Sequence, residues 1–96
     1  MEDRILTLHP EGKQGVNISK QKYNTMRQAI LDCLSQYKEL TYSQLADAVE
    51  EKLDGRFDGS IRWYFTTVKL DLEARHLLQR SSTKPQRIRL APDVQD

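Results

Sequence analysis

The stretch that most constrains the fold runs from Gly59 to Leu78 and reads GSIRWYFTTVKLDLEARHLL. It holds the only tryptophan of the chain together with a tyrosine, a phenylalanine and several aliphatic residues. At about 100° per residue, its apolar side chains fall on two nearly opposite sides of a helix. One side consists of Ile61, Tyr64, Phe65, Val68 and Leu72, and the other of Trp63, Leu70, Ala74 and Leu77. We therefore predict a central helix that packs against two partners.

A polar stripe lies between the two apolar sides of this helix. Its members, at i, i+4, i+7 and i+11, are Arg62, Thr66, Lys69 and Glu73. This spacing places the four side chains in one line along the helix. We predict that the stripe is exposed, and that a partner contacts the helix there.

Size and composition indicate a single soluble domain spanning residues 1–96, with loose termini at 1–3 and 93–96. Cys33 is the only cysteine, which excludes an intrachain disulfide and a cysteine zinc cluster and fits a reducing compartment. No apolar run has the length of a signal sequence or a membrane span. We therefore expect a cytoplasmic protein that does not enter a membrane.

Charge is unevenly distributed, although the net charge is only +1. Residues 39–58 hold six acidic residues against two basic ones, whereas residues 75–92 hold five basic residues and no acid. The C-terminal segment is therefore the basic part of the chain, and the segment before the central helix is the acidic part.

The first helix is predicted to begin after Ser19, which can cap it while Ile18 packs on Tyr23 as a hydrophobic staple. Its apolar face consists of Tyr23, Met26, Ile30, Cys33, Leu34 and Tyr37. Cys33 on that face is interpreted as a small buried hydrophobe, because no activating base lies near it in the sequence.

The second helix is predicted to begin after Thr41, with Gln44 completing a capping box and Leu40 positioned to pack on Leu45. The inner face consists of Leu45, Ala46, Ala48, Val49 and Leu53. Gly55 is placed to end this helix, and Asp58 or Ser60 can cap the central helix that follows.

Alternating residues predict strands at both ends of the chain. In RILTL, residues 4–8, Ile5 or Leu6 and Leu8 are available to a core. Gln79-Arg80 and residues 87–90 flank the loop SSTKPQ and predict a hairpin. Ile88 and Leu90 would face the core, and the two arginines beside them would face outward.

The order strand, three helices, hairpin predicts an α+β fold of the winged helix-turn-helix type, in which the N-terminal strand can join the hairpin as a third strand. A three-helix bundle with an unrelated hairpin is the structural alternative.

The chain resembles small, mostly bacterial winged-helix proteins of uncharacterised function. The resemblance rests on HPEGKQGVNISKQKY, on the central stretch and on the basic end strand, and covers residues 5–90. It is most specific at Gly59-Ser60, Trp63-Tyr64 and VKLDLEAR. The C-terminal half is more distantly similar to the N-terminal winged-helix domain of Mrr-type restriction endonucleases, where a Trp-containing third helix leads into a short basic hairpin. The resemblance implies the fold and carries no activity.

Residues suited to catalysis or to metal or cofactor binding are sparse. His9 and His76 are the only imidazoles and have no metal-ligand spacing with each other or with Cys33. Asp71 and Glu73 point in different directions on a helix, and Asp71 is placed to pair with Arg75 at i+4. We expect no enzymatic activity, no metal and no cofactor.

Two hypotheses of function remain. In the first, the protein binds duplex DNA, as a small transcription regulator would, through the third helix and a basic wing. The residues assigned to DNA are Arg62, Thr66, Lys69, Arg80, Lys84, Arg87 and Arg89. We favour this hypothesis because the acid-free segment coincides with the wing, although the acids of the second helix oppose phosphate binding.

In the second hypothesis, the domain keeps the winged-helix shape but binds another protein, a homodimer being the simplest case. The candidate interface residues are Trp63, Leu70, Ala74 and Leu77. The opposing interpretation is that the N-terminal strand and the first helix cover this ridge completely.

Overall fold

The computed structural model describes residues 3–82 and 84–92. Within those ranges the helices are α1 (Lys20–Tyr37), α2 (Tyr42–Leu53) and α3 (Ile61–Ala74). The strands are β1 (Arg4–Leu6), β2 (Asn17–Ser19), β3 (Glu39–Thr41), β4 (Leu78–Arg80) and β5 (Arg87–Leu90). This mixture confirms the predicted α+β class. Most of the termini predicted to be loose, residues 1–2 and 93–96, lie outside the described residues.

The helices begin where their capping residues predict. The Ser19 hydroxyl accepts a hydrogen bond from the amide of Lys22 at 3.3 Å. Thr41 and Gln44 form the predicted capping box, with each side chain accepting from the other residue's amide at 3.2 and 3.0 Å. These bonds satisfy amides that the first turn of a helix leaves free. At the other end of α2, Gly55 has a φ of +73°, which suits a residue that terminates a helix.

The core lies between the three helices and the inner face of the C-terminal strands. Helix α3 contributes Phe65, Val68 and Leu72, which are completely enclosed and belong to the side predicted to be buried. The prediction for Tyr37 is wrong, since this ring is 54% exposed. Tyr37 is the last residue of α1, nearly one turn beyond Leu34, which is the final core residue of that helix.

The C-terminal sheet differs from the predicted one in its third strand. Strands β4 and β5 form the predicted antiparallel hairpin, and β3 pairs with the other edge of β5, giving the order β3-β5-β4. The sequence allowed the N-terminal strand to join the hairpin as its third strand, and it does not do so. It pairs instead with β2 in a separate two-stranded sheet, in which Ile5 lies opposite Ile18. Because Ile18 is buried, its pairing with Ile5 places Ile5 against the core. Strand β1 therefore lies in a different sheet from β5.

The outward and inward faces of β5 are as predicted. Ile88 and Leu90 are buried, whereas Arg87 and Arg89 are exposed. The order of helices and the three-stranded sheet are compatible with a winged-helix arrangement. No helix in the described part of the chain is long and apolar enough to cross a membrane.

Replacing a core leucine should lower the free energy of unfolding much more than replacing a surface leucine. Leu72→Ala should lower the free energy of unfolding by about 2–5 kcal/mol, because it leaves a cavity among fully enclosed side chains. Leu6→Ala, at a site 59% exposed, should change it by less than about 0.5 kcal/mol. Chemical denaturation followed by circular dichroism measures both, and equal losses would show that the assigned core is wrong.

Candidate functional site

The polar stripe of α3 faces α2 along its first half. The Arg62 guanidinium lies 2.8 Å from Glu50 Oε1 and 3.4 Å from Asp47 Oδ1. One turn later, the Thr66 hydroxyl lies 2.7 Å from the hydroxyl of Tyr42 at the start of α2. Arg62 is still exposed and Thr66 is half-buried, but both are already bonded to side chains of α2.

The second half of the stripe was predicted to be exposed, and this is wrong. Lys69 and Glu73 are only 7% and 8% exposed. Their charged groups lie 2.7 Å apart, and Arg80 on β4 approaches the other oxygen of Glu73 at 2.8 Å. The Lys69 ammonium also lies 5.5 Å from the centre of the Tyr42 ring. A buried carboxylate requires such cations. Two of the residues assigned to DNA, Lys69 and Arg80, therefore form ion pairs with Glu73 inside the domain.

The remaining cations assigned to DNA lie on the C-terminal hairpin. Arg87 is exposed, and its guanidinium lies 4.0 Å from Glu39 on the neighbouring strand. Arg89 and Lys84 are exposed and have no acidic partner within ion-pair distance among the described residues. The hairpin is therefore where cations remain available to an external anion.

An acidic cleft borders the N-terminal end of α3. Four carboxylates of the α2 segment line it, from Asp47, Glu50, Glu51 and Asp54, opposite Ser60 and Arg62. Only the Arg62 guanidinium offsets these charges within the cleft, where it bonds two of them. The resulting negative potential beside α3 opposes the approach of phosphate groups.

The face of α3 that remains open is the second apolar side. Trp63 is 47% exposed, and Thr67, Leu70 and Ala74 are half-buried in line with it at i+4, i+7 and i+11. Of the four candidate interface residues, only Leu77 packs against the core. The ring of Tyr64 meets the indole edge-on at a centroid distance of 4.9 Å, so Trp63 is supported on one side and accessible from solvent.

The N-terminal segment forms a wall beside this face. Leu8 and Val16, 44% and 39% exposed, line a concavity of about 150 Å³ together with Thr67 and Leu70 of α3. Leu8 was among the residues predicted to be available to the core, and the structure leaves it on this surface. We call Trp63, Thr67, Leu70, Leu8 and Val16 the apolar patch. Sequence reasoning identified Trp63 and Leu70, and missed Thr67 and the two residues from the N-terminal segment.

The wall is held in a fixed shape by bonds between its two arms. The amide of Thr7 donates to the carbonyl of Val16 at 2.8 Å, and the amide of Val16 donates to the Thr7 hydroxyl at 2.9 Å. Gly15 passes so close to Thr7 that a Cβ at this position would lie 1.7 Å from the Thr7 carbonyl oxygen. Any side chain at residue 15 would therefore force the arms apart.

Asp71 fastens this wall to the helices. Its carboxylate is completely buried, accepts a hydrogen bond from the Leu8 amide at 2.8 Å, and accepts another from the Tyr23 hydroxyl of α1. The predicted ion pair with Arg75 is confirmed, at 2.8 Å. The contacts with Leu8 and Tyr23 were missed. A signal for them was present, because Asp71 lies three residues after Val68, near the side of α3 that faces the core.

Candidate metal ligands do not cluster in the part of the chain that the structure describes. Within residues 3–82 and 84–92, no three His, Cys, Asp or Glu side chains are placed to hold a metal ion. Cys33 is buried, and burial raises the pKa of its thiol, which keeps the sulfur protonated and weakly nucleophilic.

The Tyr23–Asp71 contact makes stability depend on alkaline pH. Burial, followed by the hydrogen bond to Asp71, raises the pKa of Tyr23 to about 12 from its ordinary value of 10.0. Because the folded pKa lies above the unfolded one, the stabilisation is fully present below about pH 10 and is lost as pH rises towards about 12. A pKa difference of this size between the folded and unfolded states corresponds to about 2–3 kcal/mol of folding free energy. The stability advantage of the wild type over Tyr23→Phe should therefore shrink across this range.

Urea denaturation of both proteins at several pH values measures this advantage. Tyr37→Phe is the matched control, since its ring is exposed, and it should show no such change. A constant difference between the wild type and Tyr23→Phe up to about pH 12 would contradict the assigned contact.

Comparison with known proteins assigns the chain to a family. A family of unknown function, DUF6958, matches residues 4–88, which is most of the chain. No curated protein and no solved structure gives a significant match. The chain, with its buried Asp71 and its open apolar face on α3, belongs to the DUF6958 family.

Proposed function

We propose that this domain is a protein-interaction module that binds its partner through the apolar patch. The observation that carries the proposal is that Trp63, on the open face of α3, is 47% exposed. A helix that reads DNA bases would present polar side chains on its open face. Tryptophan is enriched among residues that dominate binding energy at protein interfaces. The patch is also depleted in charge, as the central part of an interface usually is.

The bonding of the stripe residues supports the same conclusion. Arg62, Thr66 and Lys69 each have a partner within the domain, at 2.8, 2.7 and 2.7 Å respectively. Reading base edges with these side chains would require their present contacts to break, and Lys69 would leave a buried carboxylate behind. The adjacent acids of α2 add repulsion for phosphate.

The interaction proposal is tested by exchange of a single exposed aromatic residue. Trp63→Ser should weaken partner binding by at least about 2 kcal/mol, or about thirtyfold, because a tryptophan central to an interface is a typical hot spot. Tyr37→Ser is the matched control, since Tyr37 is also exposed but lies at the far end of α1. Cross-linking in cells identifies the partner, and the affinity of the separately purified partner for each variant gives the readout.

Three results bear on this test. Loss of the contact with Trp63→Ser alone supports the proposal. The assignment of the patch is contradicted if both variants lose partner binding equally, or if neither variant loses it. Because both replaced residues are on the surface, circular dichroism should show that both variants remain folded.

A second function is favoured by one observation on the C-terminal hairpin. Arg87 and Arg89 point outward beside Lys84, in a segment without acids. As a second candidate, we propose that the domain is a DNA-binding winged-helix protein, such as a small transcription regulator, that contacts duplex phosphates through this hairpin.

The DNA candidate predicts a shallow salt dependence. Three phosphate contacts give a slope of log affinity against log salt of about −2.7, and replacing Arg87 and Arg89 together with Gln should reduce it by about two. Arg62→Gln is the matched control and should leave the slope unchanged, since Arg62 is bonded to Glu50 and Asp47. Fluorescence anisotropy with a random duplex measures the slopes. No binding at about 50 mM salt would exclude this candidate.

A further inference from the structure

The apolar patch contains both a projecting ring and a hollow. Trp63 projects from the first turn of α3, and its indole is braced by the ring of Tyr64. The hollow is the concavity of about 150 Å³ between the N-terminal segment and α3. It begins one turn further along the same helix, at Thr67 and Leu70. A single copy cannot fill its own hollow with Trp63, because the indole is on the same helix and rests on Tyr64.

The hollow has the size and lining that suit one aromatic ring. An apolar cavity of about 150 Å³ accommodates benzene, so the hollow has room for one ring of the bicyclic indole. Leu8, Val16 and Leu70 supply apolar walls. The remaining lining residues are small or polar, and none is an acid, a lysine or an arginine: Thr7, His9, Gln14, Gly15 and Thr67. The bonds between Thr7 and Val16 keep the wall in place, so that the hollow is already formed before a ring enters. A preformed hollow and a braced indole both reduce the entropy lost on binding.

The positions of ring and hollow along α3 satisfy the requirement of a two-fold contact. Trp63 and Leu70 are seven residues apart, or about 10 Å along the helix axis, with Thr67 near the midpoint. If two α3 helices pack antiparallel with their axis of symmetry at Thr67, each indole meets the hollow of the other copy. Both rings and both hollows are then used, which closes the assembly at two copies.

We infer that the partner at the apolar patch is a second copy of this chain, held by reciprocal insertion of Trp63 into the hollow of the other copy. This inference rests on the proposed interaction function and specifies its partner. It places residue 67 of each copy at the two-fold axis, where the two side chains face each other.

A charge-pairing experiment tests this arrangement. Thr67→Lys and Thr67→Glu should each shift the protein to monomer at concentrations where the wild type is a dimer, because like charges meet at the axis. Each should weaken association about tenfold or more. An equimolar mixture of the two variants should regain the dimer mass, since lysine then faces glutamate. Sedimentation velocity gives the masses.

Tryptophan fluorescence provides a second readout, because Trp63 is the only tryptophan. Its emission should shift to the blue when the wild type is concentrated, and also when the two variants are mixed. Glu51→Lys, on the exposed surface of α2, is the control and should leave both the mass and the emission unchanged. Circular dichroism of each variant separates loss of association from loss of folding.

The inference is overturned if the wild type is a monomer up to high micromolar concentration, or if mixing the two variants fails to restore a dimer. In either case the proposed function is judged separately, by whether Trp63→Ser still abolishes a cross-linked contact with a different protein. Loss of that contact would support the proposed interaction function with a partner other than a second copy. If every contact persists with Trp63→Ser, both the inference and the proposed function are contradicted.

Discussion

The buried carboxylate of Asp71 is the interaction on which the rest of the arrangement depends. An ionised carboxylate without solvent is costly unless cations and hydrogen-bond donors surround it. Here the donors come from three separate parts of the chain: the amide of Leu8, the hydroxyl of Tyr23 and the guanidinium of Arg75. The N-terminal segment, α1 and α3 must therefore take their positions together, because withdrawing any one of them leaves the buried charge with fewer partners.

A second buried carboxylate, that of Glu73, fixes a different side of α3. Glu73 follows Asp71 by two residues, about 200° around the helix, and is paired with Lys69 and with Arg80 of β4. Asp71 therefore fixes the side of α3 that meets α1 and the N-terminal segment, while Glu73 fixes the side that meets the hairpin. The face of α3 between these two residues has no buried carboxylate that needs a cation. Trp63 and Thr67 can therefore lie there in an apolar surface.

The sequence predicted features that depend on local chemistry and missed those that depend on neighbours. The capping residues, the buried face of α3 and the alternation of Ile88 with its arginines follow from positions a few residues apart, and all are present. Strands β2 and β3 were missed because Ile18, Ser19, Leu40 and Thr41 were interpreted only as staples and caps of the helices that follow, whereas each strand forms by pairing with a distant segment. The burial of Lys69 was missed because it requires β4 to deliver Arg80. For the candidate site, Trp63 and Leu70 were predicted, but Leu8 and Val16 depend on a distant segment.

The two proposed surfaces are compatible because they use different sides of α3. The apolar patch lies beside the N-terminal segment, whereas the hairpin packs on the side of Glu73 and leaves Arg87 and Arg89 outward. A two-fold dimer through the patch would carry two hairpins on one particle, so a duplex bound by one hairpin would meet the second at high effective concentration. Each hairpin contributes few cations, and the acids near α3 oppose phosphate. Under the two proposals together, pairing two copies would raise the affinity of this weak basic surface for a duplex.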